Sequence, residues 1–133
     1  MIRPTSLARL FSALFAFALL AAAIPASAAV TDEQLAAAVA KLEKAGVVTD
    51  ASYWLANAKR NQTCAGEKVG ALIIAGAKRQ GGKAGDLDGA LKHLVRRRVI
   101  TKTEYWETNA VAGKACAGGQ VGSLISRLAS TTK

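Results

Sequence analysis

The chain has 133 residues, with 18 Lys and Arg residues against 9 Asp and Glu residues, and a formal net charge of +9. This length predicts one domain with a modest core. Two cysteines and one histidine exclude a four-ligand zinc site of the usual Cys and His type. The excess of positive charge favours anionic partners.

The N-terminal segment has the three parts of a secretory signal peptide. Arg3 and Arg9 form a positive region, the apolar run 10–24 follows without a charge, and small residues complete the pattern. We therefore predict a signal peptide over residues 1–28, cleaved after Ala28, and an exported protein that is periplasmic or secreted. The apolar run is about 15 residues long, whereas a membrane-spanning helix needs roughly 20. An uncleaved anchor is the alternative, and we expect no transmembrane segment in the mature chain.

The rest of the chain repeats itself with an offset of 52 residues. Aligning residues 35–77 with residues 87–129 without a gap gives 17 identities in 43 positions. A period near 50 residues is typical of one supersecondary unit that is used more than once. We divide the chain into a first helical repeat at residues 29–80 and a linker with a second repeat at residues 81–133, and we expect both in one compact domain.

The first helix of each repeat is predicted from its cap and its apolar spacing. Thr31 and Gln34 have the spacing of a capping box, and the equivalent helix of the second repeat is expected to begin near Asp86. The predicted buried faces follow the i, i+3, i+4, i+7 pattern. They comprise Leu35, Ala38, Val39 and Leu42 in the first repeat and Leu87, Ala90, Leu91 and Leu94 in the second.

Two further helices complete each repeat. The second helix is short and is expected to begin at Thr49 or Thr101, whose hydroxyls suit the N-cap position. The third helix contains Gly70 or Gly122, and a glycine at the same place in both repeats predicts the close approach of another helix. No segment alternates like a strand. We therefore expect an all-α fold of two pseudo-symmetric three-helix repeats.

The two cysteines are equivalent residues of the two repeats. In an exported chain, a pair of cysteines indicates a disulfide. If the repeats pack about a pseudo-twofold axis, equivalent residues near that axis approach each other, so we predict a structural disulfide between Cys64 and Cys116 that links the repeats. An intermolecular disulfide and a redox pair are the alternatives. No Cys-x-x-Cys motif supports the redox interpretation.

The repeated aromatic and amide residues are candidates for ligand binding. They are Tyr53, Trp54 and Asn57 in the first repeat and Tyr105, Trp106 and Asn109 in the second. Packing in the core is the favoured interpretation, because large aromatics at helical spacing supply much of the burial in a small domain. The alternative is that an exposed aromatic face stacks on a sugar or peptide, in which case two copies would give two subsites.

A basic cluster occurs in one repeat only, so the two halves differ in charge. It comprises Lys92, Arg96, Arg97, Arg98 and Lys102. A solvated helix end is the favoured interpretation, since cations suit the negative end of the helix dipole. The alternative is a docking site for carboxylate or phosphate polymers, which arginine binds through two parallel hydrogen bonds.

The sequence does not contain a convincing catalytic constellation. The acidic pairs suit helix starts, and there is no nucleophile motif, phosphate-binding loop or cluster of metal ligands. His93 has no neighbour in sequence that would make it a catalytic base. We expect a protein that is not an enzyme, with no catalytic residues, no cofactor and no bound metal.

The chain has Gly-Val-Val-Thr at residues 46–49, then Tyr53-Trp54 and Asn57, and then Val-x-x-Leu-Ile at residues 69–73. This pattern resembles the short helical repeats appended to some bacterial and phage cell-wall hydrolases, and the resemblance covers residues 35–77 and 87–129. The Cys-Ala-Gly segment at residues 64–66 departs from that pattern, and no hydrolase domain accompanies the repeats. The resemblance implies an envelope-associated accessory or binding module.

Three functional hypotheses follow. The leading one is an exported, non-catalytic binding protein that recognises an anionic envelope component, such as a wall polymer, or an envelope protein. The second is a structural or assembly scaffold without a ligand. The third is a cationic effector that acts on anionic membranes or nucleic acid, and the export signal disfavours nucleic acid. The oligomeric state is left open.

Overall fold

The computed structural model describes residues 30–83 and 85–133. The predicted signal peptide at residues 1–28 and its cleavage after Ala28 lie outside the described residues. Within that described part, the chain forms six helices and two short strands. None of these helices combines the length and the apolar character that crossing a membrane needs.

Each repeat is built in the order helix, helix, strand, helix. The first repeat contains α1 (Asp32–Lys44), α2 (Ala51–Asn57), β1 (Thr63–Ala65) and α3 (Gly66–Arg79). The second contains α4 (Leu87–Arg96), α5 (Glu104–Asn109), β2 (Ala115–Ala117) and α6 (Gly118–Thr131). The prediction of a mainly helical protein with six helices is confirmed. The all-α prediction is wrong in one respect, because each repeat also contributes a strand.

The first helix of each repeat begins as predicted. The Gln34 amide donates to Thr31 Oγ1 at 3.1 Å, and the Thr31 amide donates to Gln34 Oε1 at 3.0 Å, which completes the capping box. Asp86 caps α4 by accepting a hydrogen bond from the Gly89 amide at 2.9 Å. The predicted apolar faces of both helices are buried, except that Leu87 is half-buried.

The second helix of each repeat begins later than predicted. The N-cap residues are Asp50 and Thr103 instead of Thr49 and Thr101, and neither makes a side-chain capping hydrogen bond. These two side chains do not cap their helices because each is bonded to another group. The Asp50 carboxylate accepts from two side chains of its own repeat, and the Thr103 hydroxyl donates to Glu107 at 3.2 Å.

In the core, the first and third helices of each repeat pack mainly against helices of the other repeat. Helix α1 of the first repeat packs against α6 of the second, and α4 of the second packs against α3 of the first. The buried side chains of all six helices belong to one hydrophobic cluster. Neither repeat therefore contains the main partner of its own first or third helix, and the two repeats share one hydrophobic core.

A two-stranded antiparallel ribbon joins the repeats. Its register pairs Thr63 with Ala117, Cys64 with Cys116 and Ala65 with Ala115. Main-chain hydrogen bonds flank the cysteine pair at both ends, from Gly66 N to Lys114 O at 2.8 Å and from Gly118 N to Gln62 O at 2.7 Å. Equivalent residues thus meet at the centre of the ribbon, as a pseudo-twofold axis requires.

The glycines of the third helices lie against the backbone of the other repeat. A Cβ atom on Gly122 would lie 2.6 Å from the Ala58 carbonyl oxygen, and one on Gly70 would lie 2.5 Å from that of Ala110. A side chain does not fit at either distance. The predicted close approach is confirmed. The approaching group is the carbonyl of the C-cap residue at the end of α2 or α5.

Candidate functional site

The tyrosines of the two repeats hold the ends of the ribbon. The Tyr53 hydroxyl accepts a hydrogen bond from the Ala65 amide at 2.8 Å, and the Tyr105 hydroxyl accepts one from the Ala117 amide at 2.8 Å. Both tyrosine rings are half-buried. Each tyrosine therefore has a structural partner but keeps part of its ring at the surface.

The tryptophans pack edge-on against these tyrosines and are buried. The ring centroids of Tyr53 and Trp54 lie 5.1 Å apart, and those of Tyr105 and Trp106 lie 5.0 Å apart. Trp54 is 3% exposed and Trp106 is 7% exposed. The indole rings thus contribute mainly to the core, and only an edge of Trp106 remains for contact with a ligand.

The repeated asparagines make local hydrogen bonds. Asn57 Nδ2 donates to the Tyr53 carbonyl at 2.9 Å, and Asn109 Nδ2 donates to the Tyr105 carbonyl at 2.8 Å. These contacts satisfy main-chain acceptors near the ends of two short helices. The amides are therefore used within the fold.

An open groove of about 940 Å³ lies on the second repeat, beside the Tyr105 and Trp106 pair. Its walls come from the loop before β1, the link between α4 and α5, and the first turns of α6. The residues whose side chains set its character are Arg60, Thr63, Thr101, Lys102, Tyr105, Trp106, Gln120, Ser123 and Arg127. Both repeats thus contribute to one groove.

The groove is cationic. Arg60, Lys102 and Arg127 line it, and no Asp or Glu residue of the described ranges does. Within the described residues, none of these three side chains forms an ion pair, because the ion pairs present join Asp32, Asp50 and Asp88 to other lysines. All three cations are exposed. Their charges are therefore available to an anion from outside.

At the equivalent position of the first repeat, the charges form an ion pair within the repeat. Asp50 stands where Lys102 stands in the second repeat, and its carboxylate binds Lys68 Nζ at 2.7 Å. Lys68 also lies over the Tyr53 ring, 4.6 Å from its centroid. Burial raises the pKa of Asp50, but the hydrogen bonds from Lys68 and Trp54 outweigh it and hold the pKa below its ordinary value. The carboxylate therefore stays ionised.

The predicted basic cluster is mostly separate from the groove. Arg96, Arg97 and Arg98 are exposed and do not line it, and Lys92 forms an i, i+4 ion pair with Asp88 at 3.2 Å. Lys102 alone belongs to the groove. The cluster that the sequence suggests is thus one groove residue beside a solvated helix end.

The predicted disulfide between Cys64 and Cys116 is wrong for this structure. Both cysteines are free and buried, although they face each other in the ribbon. The Cys64 thiol donates instead to the Asn57 carbonyl of its own repeat, at a Sγ–O distance of 3.4 Å. The ribbon's main-chain hydrogen bonds join the repeats in place of the predicted covalent link.

Burial also makes these thiols unreactive. Burial raises the pKa of Cys64 to about 12, with a smaller contribution from Cys116, and raises the pKa of Cys116 to about 11. The thiolate is the form that attacks disulfides and binds metals. At neutral pH the pair therefore serves as packing. The described residues also contain no group of three or more His, Cys, Asp or Glu side chains placed to hold a metal ion.

His93 has a structural partner as well. Its Nε2 lies 3.1 Å from the Gln80 carbonyl oxygen at the end of α3. The ring is half-buried against Gly82. It joins α4 to the end of α3 and lies outside the groove.

Comparison with known proteins adds no family to this geometry: the chain matches no protein-family model, no curated protein and no solved structure. The resemblance to the repeats of cell-wall hydrolases therefore stays a prediction, and the groove is interpreted from its own residues.

Two groove residues, Gln120 and Arg127, were not singled out from the sequence. The signal that identifies them is the difference between the repeats: Gln120 replaces Lys68, and Arg127 replaces Ala75. Lys102 likewise replaces Asp50. The identities between the repeats describe the shared fold, and these differences describe the groove.

Proposed function

We propose that this protein is an exported, non-catalytic binding module that recognises an anionic polymer of the cell wall through the groove. The observation that carries the proposal is the lining of the groove. Among the residues that the structure describes, it has three cations without an ion-pair partner beside an aromatic edge, and it has no carboxylate. Such a surface attracts and orients anionic groups. Export, and with it the cell wall as the place of action, rests on the signal peptide predicted from residues 1–28.

The shape of the groove also supports a polymer. It is open to solvent, and its cations come from separate parts of the chain, Arg60 from the first repeat and Arg127 from α6 of the second. A chain with regularly spaced acidic groups could contact several cations at once, and linked contacts of this kind add avidity. Tyr105 offers a half-buried aromatic ring to the apolar part of such a chain.

Binding to purified wall sacculi tests the proposal, with a matched pair of charge variants. The groove variant is Lys102→Glu/Arg127→Glu, and the control is Arg96→Glu/Arg97→Glu, which changes the net charge equally but outside the groove. We expect the groove variant to bind at least about tenfold more weakly than the wild type, and the control to lose less than about threefold. Equal losses in both variants would show that binding depends on net charge alone.

Two further measurements complete the test: binding at high salt, and binding to anionic phospholipid vesicles. Because part of the attraction is between a desolvated aromatic edge and the ligand, we expect some binding to persist in about 0.5 M salt, where exposed charges are screened. Anionic phospholipid vesicles serve as the competing surface. Absence of wild-type binding to sacculi, or stronger binding to the vesicles, would overturn the proposal.

A further inference from the structure

The first repeat contains a carboxylate held by an indole and an ammonium group. Trp54 Nε1 donates to Asp50 Oδ1 at 2.9 Å, and Lys68 Nζ donates to Asp50 Oδ2 at 2.7 Å. Both oxygens of one carboxylate are thus used by two side chains of the same repeat. The first repeat therefore holds a carboxylate beside the indole N–H of Trp54.

The second repeat keeps the indole but lacks the carboxylate. Trp106 occupies the position equivalent to Trp54, while Lys102 replaces Asp50 and Gln120 replaces Lys68. Among the described residues, Trp106 Nε1 has no hydrogen-bond partner, although Trp106 is only 7% exposed. In that part of the chain, every side-chain N or O atom that is fully buried has a hydrogen-bond partner, so an atom without one is not fully buried. The unpaired Nε1 therefore reaches solvent, on the side chain that lines the groove.

The start of α6 has also lost its acidic residue. Glu67 lies in the first turn of α3, where a carboxylate suits the positive end of the helix dipole. Its equivalent is Gly119, and the first turn of α6 contains no acidic residue. Gly119 and Gln120 line the groove. The groove thus combines an indole donor, an amide donor, a lysine and a helix N-terminus, all of which favour an anion.

We infer that the groove contains a carboxylate subsite at Trp106, in which a carboxylate of the ligand takes the place that Asp50 takes beside Trp54. In this subsite Trp106 Nε1 donates to one oxygen, the Gln120 amide is placed to donate to the other, and Lys102 supplies the charge. The inference rests on the proposed function and names the chemical group that the wall polymer presents. The group that occupies the equivalent place in the first repeat, Asp50, is a carboxylate. We therefore expect the subsite to prefer a carboxylate to a phosphate.

The indole N–H resonances report directly on the subsite. The chain contains two tryptophans and gives two such signals. Within residues 30–83 and 85–133, only the Trp54 indole N–H has an acceptor in the free protein. N-acetylalanine is the carboxylate probe, and its neutral carboxamide is the control. We expect N-acetylalanine to shift the Trp106 signal and leave the Trp54 signal unchanged, while the carboxamide shifts neither. An equal response to the carboxamide, no response of Trp106, or an equal or larger response to inorganic phosphate would overturn the inference.

Two variants of equal net charge test whether the ligand takes the place equivalent to that of Asp50. Lys102→Asp/Gln120→Lys rebuilds the ion pair of the first repeat inside the groove, and Lys102→Ala removes one charge without filling the subsite. Hydrogen bonds to a charged group are worth roughly tenfold or more in affinity. We therefore expect the double variant to lose the response to N-acetylalanine by at least about tenfold and Lys102→Ala to lose several-fold less. Equal losses would contradict the inference, and unchanged main-chain amide spectra confirm that both variants fold.

Chemical treatment of the wall separates this inference from the proposed function. Amidation of the carboxyl groups of the sacculi removes their carboxylates and leaves any phosphate groups in place. Loss of binding after amidation supports the subsite. Undiminished binding that still depends on Lys102 and Arg127 would retain the groove as the wall-binding surface and overturn the carboxylate subsite.

Discussion

Cys64 lies directly opposite Cys116 at the centre of the ribbon, and both are free thiols. The pair marks the place where the pseudo-twofold axis passes through the domain. Because each thiol is almost fully buried, its contribution is van der Waals packing between the repeats. The two cysteines therefore belong to the shared core, and the difference between the repeats lies elsewhere.

The first prediction concerns the state of these thiols. Alkylation of the purified protein in denaturant, without a reductant, is expected to label both cysteines, as measured by mass spectrometry. In the folded protein at neutral pH the same reaction is expected to be slow, since burial disfavours the thiolate. An unlabelled protein whose mass shows the loss of two hydrogen atoms would contradict the free-thiol structure.

The second prediction concerns stability at alkaline pH. The thiols of the unfolded chain release their protons near the ordinary pKa of 9.0, whereas the folded protein holds them until about pH 12 for Cys64 and about pH 11 for Cys116. The native state then binds more protons than the unfolded state, so the free energy of unfolding falls as the pH rises above 9. Well below that pH, where the thiols are protonated in both states, they contribute no pH dependence.

Denaturant unfolding between about pH 8 and pH 10.5 measures this effect. The control is Cys64→Ala/Cys116→Ala, which retains all tyrosines and lysines and therefore their titration. The wild type is expected to lose stability with a steeper slope than the control, by up to about 1.4 kcal/mol per pH unit for each thiol. Parallel slopes would show that the thiols titrate alike in the folded and unfolded states.

The third prediction compares two glycines of α6. Gly122→Ala is expected to destabilise the domain by about 1–3 kcal/mol, because its Cβ would lie 2.6 Å from the Ala58 carbonyl oxygen. Gly119→Ala is the control, since its Cβ would be 3.9 Å from the nearest atom, the Cα of Arg60. A helical alanine there stabilises by up to about 1 kcal/mol. Thermal or denaturant unfolding distinguishes the two, and similar effects of both variants would argue against the close approach.

The fourth prediction concerns strain in the basic cluster. Arg98 has a φ of 62°, in the left-handed region, where its equivalent Gly46 has a φ of 81°. A residue with a Cβ costs about 1–2 kcal/mol more than glycine in this conformation. Arg98→Gly is therefore expected to raise the free energy of unfolding by about 1 kcal/mol, and Gly46→Arg to lower it by a similar amount. No gain from Arg98→Gly would indicate that the arginine side chain makes a compensating contact.

The fifth prediction follows from the exchange of helices between the repeats. A fragment of residues 30–82 contains α1 and α3, whose main partners α6 and α4 lie in the other half. We expect the fragment alone to show little cooperative unfolding as a monomer and to gain helix on mixing with residues 85–133. Circular dichroism with sedimentation analysis checks both statements. A monomeric fragment that unfolds cooperatively would contradict a core shared between the repeats.

Only part of the groove could be predicted from the sequence. Lys102 and Trp106 were identified, but as members of two separate groups, a basic cluster and an aromatic pair. The structure brings them together beside Gln120 and Arg127. Each of these residues is ordinary in its own segment, and the site arises because residues far apart in sequence line one groove.

By itself, the sequence determined the doubled architecture, the helices with their buried faces, the caps at Thr31 and Asp86, and the close approach at the repeated glycines. These features depend on spacing within one segment, where residues three or four apart share a helix face. Tertiary structure alone decided the ribbon, the exchange of α1 and α4 between the repeats, and the free thiols. A strand of three residues has no local signal, since its hydrogen bonds come from the other repeat. The cationic groove likewise exists only because the fold brings Arg60, Lys102 and Arg127 from separate segments to one surface.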